Sequence, residues 1–294
     1  MLRYPWASPS ISLTVLFAVV LGSSLHIPTI LGWATSPISF AALKENHSRA
    51  LRLCSSLKMS TTTEEKDMSV KVLGVCGGIG SGKSTACKLL VESCNCLAHI
   101  DADKVAHTVY APGSQAVQDV VNEFGKDILM DSSDVMEIDR KKLGAIVFAE
   151  RSAMAKLEAI VWPHVKDMLL ERINELKESW NQSEISDTDT IPVIILEAAI
   201  LLDAGWDDLL DGVWAVTVPK EFALKRLVET RGLSEEEALK RIDAQNSRRG
   251  IGTIEKEVES GTVHCVISND GSLDDLKESL QKSLQDPTCW KATP

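Results

Sequence analysis

The sequence predicts a three-layer α/β/α fold with a parallel sheet, and three observations carry that expectation. From residue 70 onward, short runs rich in β-branched residues alternate with amphipathic stretches, the pattern of strands joined by crossover helices. A glycine-rich segment follows the first run and leads straight into a helical pattern. The runs are mostly apolar rather than alternating, as strands covered on both faces should be.

Strands are expected at residues 70–75, 96–100, 193–196, 213–218 and 263–267. About ninety residues separate the second from the third, far more than one crossover needs, so a helical insertion is expected at about 112–180. Its helical patterns run over 114–124, 140–149 and 151–179, with Pro163 expected to kink or restart the last. Ser234 and Glu237 form a capping-box pattern that starts a helix reaching about residue 247. Ser272 caps a final helix through about residue 280, so the folded domain spans about 70–290.

The glycine-rich segment carries the chemistry. Gly77, Gly78, Ile79, Gly80, Ser81, Gly82, Lys83, Ser84 and Thr85 satisfy G-x-x-x-x-G-K-[ST] between a strand and a helix, the P-loop pattern. The glycines let backbone N–H groups turn inward around phosphates, and the following helix directs its positive end at them. Lys83 brings a mobile charge to the β and γ phosphates, and Ser84 can place its hydroxyl on Mg²⁺. The bland alternative, a glycine-rich turn with an incidental Gly-Lys-Ser, does not account for the coincidence of pattern, strand and helix. The loop specifies a nucleoside triphosphate with Mg²⁺; alone it does not separate a kinase from a GTPase or a motor ATPase.

Asp101 and Asp103 follow the second strand, at the carboxyl end where open α/β sheets bind ligands. A carboxylate there can deprotonate an acceptor hydroxyl or hold Mg²⁺ through water. One of the pair is expected only to cap the next helix. His107 and His164 belong to no triad or metal spacing and read as helix-face or pocket-lining residues.

Composition narrows the class. A formal net charge of -11 excludes broad binding to a nucleic-acid backbone, because neutralising phosphates needs a basic surface. Cys54, Cys76, Cys87, Cys94, Cys96, Cys265 and Cys289 form no C-x-x-C pair and have no histidines at zinc-ligand spacing, so reduced, unpaired thiols are expected.

Residues 1–69 differ in kind and read as a targeting or anchor segment with a linker, outside the fold. The run 11–25 has signal-peptide length, and extended to Trp33 it could span a bilayer, so membrane contact is expected only through 11–33. The basic, Ser-rich stretch behind it suits a two-part organelle address, while a signal anchor or a simple secretory signal also fits; a start at Met59 would instead give a cytoplasmic protein.

The loop and the acidic pair together resemble the dephospho-CoA kinase family, and the resemblance extends over about 70–284. It is carried further by Asp139-Arg140, Leu143-Gly144, Val147-Phe148, Leu157-Glu158 and Pro163, similar to the family's acceptor-binding helical subdomain. Lys225-Arg226-Leu227, then Arg241-Ile242 with Gln245, resemble the start and end of its helical lid, placed at about 226–250. Asn269-Asp270-Gly271 resembles its adenine-side loop. The resemblance implies a P-loop kinase that transfers the ATP γ-phosphoryl group to the ribose 3′-hydroxyl of dephospho-CoA, giving CoA and ADP. By position it implies Asp103 as acceptor-side base, Arg226 as lid arginine near the phosphates, Arg140 toward the acceptor and Asn269 toward the nucleotide.

The chain departs from the family pattern at several places. Cys76 stands in place of threonine, Trp162 in place of the histidine before proline, and Val263-His264 in place of alanine-aspartate, while Thr230-Arg231 is out of step with an arginine-aspartate pair. The stretch 196–206 resembles more closely the kinase half of the eukaryotic bifunctional CoA synthase. No adenylyltransferase half is expected beside it, since everything before Val70 reads as targeting or linker.

Overall fold

The computed structural model describes residues 69–131, 135–182, 190–249 and 254–292. The expected targeting or anchor segment, including 11–33 and the alternative start at Met59, lies outside the described residues, and no described helix is long and apolar enough to cross a membrane.

Five described strands form one parallel sheet: β1 Lys71–Gly77, β2 Cys96–Asp101, β3 Ile191–Glu197, β4 Gly212–Thr217 and β5 Cys265–Ser268, in the order β2-β3-β1-β4-β5. The central strands β1, β3 and β4 are buried almost end to end, which is why their sequences are nearly unbroken apolar runs. The edge strands β2 and β5 are only partly buried. All five expected strands are present. β3 runs on to Glu197, while β5 begins only at Cys265, because His264 still meets β4 outside the ladder through its Nδ1, which accepts from the Val213 N–H at 3.2 Å.

Helices cover both faces. Helix α1 (Lys83–Glu92) follows β1, and α2 (Ala102–His107) follows β2. The expected insertion then supplies α3 (Gln115–Phe124), α4 (Arg140–Ala149) and α5 (Arg151–Gln182). Beyond β4 come α6 (Lys220–Arg231), α7 (Glu235–Arg249) and α8 (Glu255–Glu259), and α9 (Leu273–Gln285) follows β5. The two predicted caps form: Ser234 and Glu237 hydrogen-bond reciprocally before α7, and Ser272 with Asp275 makes a capping box on α9; Ser114, expected inside a helical pattern, instead caps α3. One core layer joins the sheet to α2–α5; the other packs Leu73, Val75 and Trp214 against α1 and α9.

The helix does not restart at Pro163, the second of the two outcomes expected there; α5 runs through it from Arg151 to Gln182. An interior proline costs about 3 kcal/mol through its missing N–H and the clash with the preceding turn. Here Leu157, Val161, Val165, Leu169 and Ile173, spaced four apart on both sides of Pro163, form one buried stripe. Each contributes about 1.5–3 kcal/mol on burial, so the stripe outweighs the proline.

The chain's end closes the opposite side of the sheet. Trp214 donates its indole N–H to the Cys289 carbonyl at 2.8 Å and meets the Trp290 ring edge-on, with centroids 5.9 Å apart. Lys71 Nζ lies 4.9 Å from the centroid of the same Trp290 ring, a cation–π contact between the start of β1 and the tail.

Adjacent leucines on α5 test this account, since Leu169 is fully buried and Leu170 is 42% exposed. Leu169→Ala should lower unfolding free energy by about 2–5 kcal/mol in a urea titration, whereas Leu170→Ala should change it by less than about 0.5 kcal/mol.

Candidate active site

The parallel order brings the carboxyl ends of β1, β2 and β3 to one edge, with Glu197 paired in register to Val75 on one side and Asp101 on the other. From β1 the chain enters the phosphate loop, which turns into α1 at Gly82. Gly82 has φ +92°, and a Cβ there would lie 2.1 Å from Asn269 Nδ2. At Gly77, φ is +154° and a Cβ would lie 2.4 Å from the Val216 carbonyl oxygen. The first turn of α1 carries no acidic residue, so its positive end is left for an anion.

The loop is braced from outside. Asn269 donates its side-chain amide to the Ser81 carbonyl at 2.7 Å. Arg226, on α6, donates to the Asn269 carbonyl at 2.7 Å and to the Ser81 carbonyl at 3.2 Å. Gln245, buried on α7, accepts the Ile79 N–H through Oε1. The three side chains reach the loop from α6, from the turn after β5 and from α7.

Two carboxylates flank the loop's far side. Asp101 does the capping expected of one member of its pair, its side chain accepting the N–H groups of Asp103 at 3.0 Å and Lys104 at 3.2 Å. That leaves Asp103 for chemistry. Its Oδ1 is buried and has no hydrogen-bond partner among the described residues. Burial, then the negative charge of Asp101, pushes its carboxyl up to about 6, against the opposing pull of Lys83. Such a group changes charge near neutral pH, as a general base should.

Glu197 was not singled out from the sequence. Its Oε1 accepts from the Ser84 hydroxyl at 2.6 Å, and its Oε2 lies 3.1 Å from His99 Nε2. Burial pushes its carboxyl up, but the hydrogen bonds from His99 and Ser84 and the charge of Lys83 prevail and hold it below the usual range. A P-loop hydroxyl against the carboxylate at a neighbouring strand's end is an all-oxygen pair, the donor set a hard Mg²⁺ ion takes. The available sequence signal was an acid closing an otherwise apolar strand.

A cleft of about 510 Å³ joins these groups. Its wall includes Ile79, Gly80, Gly82, Lys83, Ser84, Thr85, Asp103, Glu197, Arg226, Arg231, Gln245 and Asn269. Gly77, Gly78 and Ser81 are not among its lining residues. Arg231 takes a place on the wall although its sequence context is out of step with the family pattern. Arg140 does not line the cleft; it donates to the His107 carbonyl at 3.2 Å and lies over the Tyr110 ring. Cys76 is fully buried in β1, and burial pushes its thiol up to about 12, so it serves as a neutral core group. His164 pairs with Asp119 at 2.8 Å, in the insertion.

The raised carboxyl of Asp103 costs stability when it ionises. An acid whose folded pKa is about 6 rather than 3.8 binds more protons folded than unfolded, so stability falls as pH rises from about 4 to 6 and then levels. The loss at neutral pH is about 3 kcal/mol. Asp103→Asn should remove that decline and be the more stable protein at pH 7.5, as read by urea unfolding across the pH range.

Known proteins are similar to this chain over most of its described residues. The family model described as dephospho-CoA kinase matches residues 71–275. The dephospho-CoA kinase of Carboxydothermus hydrogenoformans is 38% identical over 220 residues, covering 75% of this chain and 94% of that protein. The dephospho-CoA kinase of Geobacter sulfurreducens is 36% identical over 213 residues, covering 72% and 96%. Among solved structures, dephospho-CoA kinase from Campylobacter jejuni is 26% identical with a TM-score of 0.47, covering 73% of this chain and 95% of that one. With the phosphate loop, the carboxylate edge and more than half of its length matched by the family model, the chain belongs to the dephospho-CoA kinase family.

Proposed function

We propose that the chain catalyses transfer of the γ-phosphoryl group of ATP to the ribose 3′-hydroxyl of dephospho-CoA, giving CoA and ADP, the last step of CoA synthesis. The observation that carries the residue roles is Asp103: a carboxylate whose buried Oδ1 has no hydrogen-bond partner among the described residues, on the wall of the same cleft as Lys83 and Ser84.

Asp103 takes the proton of the acceptor hydroxyl as that oxygen bonds to the γ phosphorus. The bond from phosphorus to the β–γ bridging oxygen breaks, ADP leaves with that electron pair, and Asp103 later gives its proton to solvent. Lys83, the loop N–H groups and the N-terminus of α1 hold the phosphates and stabilise the charge that spreads over them. Arg226 adds positive charge from the α6 side of the loop; its hydrogen-bond partners there are carbonyls, which leave that charge uncancelled. Mg²⁺, held by Ser84 with Glu197 behind it, would supply further positive charge to the β and γ phosphates. Asn269 orders the nucleotide side of the loop, and the insertion bearing Arg140 takes the rest of the acceptor.

The full chain, assayed for ADP release with Mg-ATP and a panel of nucleoside and sugar alcohols, should turn over dephospho-CoA in preference to the others. Lys83→Ala should lose turnover, and Asp103→Asn should lose about 10²–10⁴-fold in kcat while still binding ATP. Because the base must be ionised, kcat/KM should rise with pH through about 6 and flatten above it, and Asp103→Asn should lack that limb. Turnover of other alcohols without dephospho-CoA would defeat the acceptor assignment, and ATP binding without turnover would defeat catalysis.

A further inference from the structure

Behind the carboxylate that holds Ser84 lies a second donor set of different chemistry. Cys87 sits on α1 one turn beyond Ser84, His99 lies on β2 two residues before Asp101, and Glu197 ends β3. One donor atom from each lies within 4.8 Å of the other two. We propose that Cys87, His99 and Glu197 form a binding site for a borderline-soft divalent cation of the Zn²⁺ class, and that its occupation antagonises Mg-ATP.

The donors fit that class. A tetrahedral site with bonds of about 2.0–2.3 Å places its ligand atoms about 3.3–3.8 Å apart, so closing the separations by about 1–1.5 Å at most gathers the three. His99 Nε2 and Glu197 Oε2 are already 3.1 Å apart. Thiolate, imidazole and carboxylate together suit Zn²⁺ and Co²⁺, whereas Mg²⁺ favours an all-oxygen shell. All three come from a helix and two paired strands, which hold donors more firmly than loops do. Cys87 is fully buried, and burial, followed by the charge of Glu197, keeps its thiol protonated at neutral pH. Metal binding therefore releases that proton to solvent as the sulfur–metal bond forms. The route in lies at His99, whose side chain is 26% exposed and faces a second cleft of about 400 Å³ shared with Asp101 and Lys104.

The link to the phosphate loop runs through one carboxylate. Glu197 offers Oε2 to the new site while Oε1 accepts from Ser84. A dication on Oε2 draws negative charge away from the Ser84 side and stands beside the place where Mg-ATP brings its own dication, so the two repel. This antagonism rests on the kinase reading; the metal site itself does not.

Cobalt(II) alone, added to the full chain without nucleotide, tests the site. One Co²⁺ per chain should bind with a thiolate-to-cobalt charge-transfer band, which Zn²⁺ abolishes and excess Mg²⁺ leaves in place. Cys87→Ala should lose the band. His99→Gln, at a partly exposed position that tolerates the change, should bind Co²⁺ at least about tenfold more weakly, with circular dichroism reporting that both variants keep the fold. No band with the parent chain, or a band that survives both substitutions and so belongs to another cysteine, would overturn the site. With Zn²⁺ at saturation, the apparent Kd for Mg-ATP should rise tenfold or more in the parent and stay unchanged, relative to its own metal-free value, in His99→Gln. An unchanged Kd in the parent overturns the antagonism. Failure to turn over dephospho-CoA, by contrast, would leave the cobalt band in place, so the two readings fail separately.

Discussion

Parallel pairing has a consequence that a mixed sheet would avoid: neighbouring strands all finish at the same edge. In this chain β1 ends in the phosphate loop, β2 in Asp101 and β3 in Glu197, and the registers Val75 to Glu197 and Glu197 to Asp101 hold those ends level. Carboxylates are thereby crowded beside a site meant for an anion. Burial, and then that crowding, raises Asp103 toward neutral pH, while Lys83 and the N-terminus of α1 keep the neighbourhood able to receive phosphate. The topology sets the electrostatics before any single side chain is adjusted.

What could be read from the sequence follows the range of the forces involved. The phosphate loop is a contiguous signal and was fully legible, as were the caps at Ser234 and Ser272, because their partners lie three residues away. The central strands announced themselves through two-sided burial. Asp101 and Asp103 were legible as a pair, but their division of labour depends on which carboxylate meets the N–H groups of α2, a matter of local geometry. Glu197 escaped notice because its link to Ser84 spans 113 residues and is created only by strand register. At Pro163 a restart does not occur for the opposite reason: a buried stripe that forms only in the packed fold carries the helix through the proline. Arg140 was legible only by likeness to a family pattern, and its contacts with His107 and Tyr110 tie the insertion to the segment at the end of α2.

The loop's flexibility is handled by bracing rather than by stiff sequence. Glycine at positions 77 and 82 leaves no side chain to clash, yet such a loop would fluctuate if left alone. Arg226, Asn269 and Gln245 hold it through its own backbone groups from three separate elements. Since these contacts use main-chain atoms of the loop, motion of α6 or α7 passes directly to the phosphate cradle. Any shift of those two helices would therefore reshape the seat offered to phosphate.

The tail contacts at Trp290 bear on how the molecule is made. Trp214 in β4 and Lys71 at the start of β1 both meet residues near position 290, so two central strands are tied to a segment synthesised after both of them. Contacts of such long sequence separation slow folding, because the intervening chain must be gathered first. During synthesis β1 and the phosphate loop emerge well before that segment, and the sheet beneath them stays unsealed until it leaves the ribosome. A ribosome stalled before the tryptophan would hold a chain with every motif of the phosphate loop and no closed core beneath it.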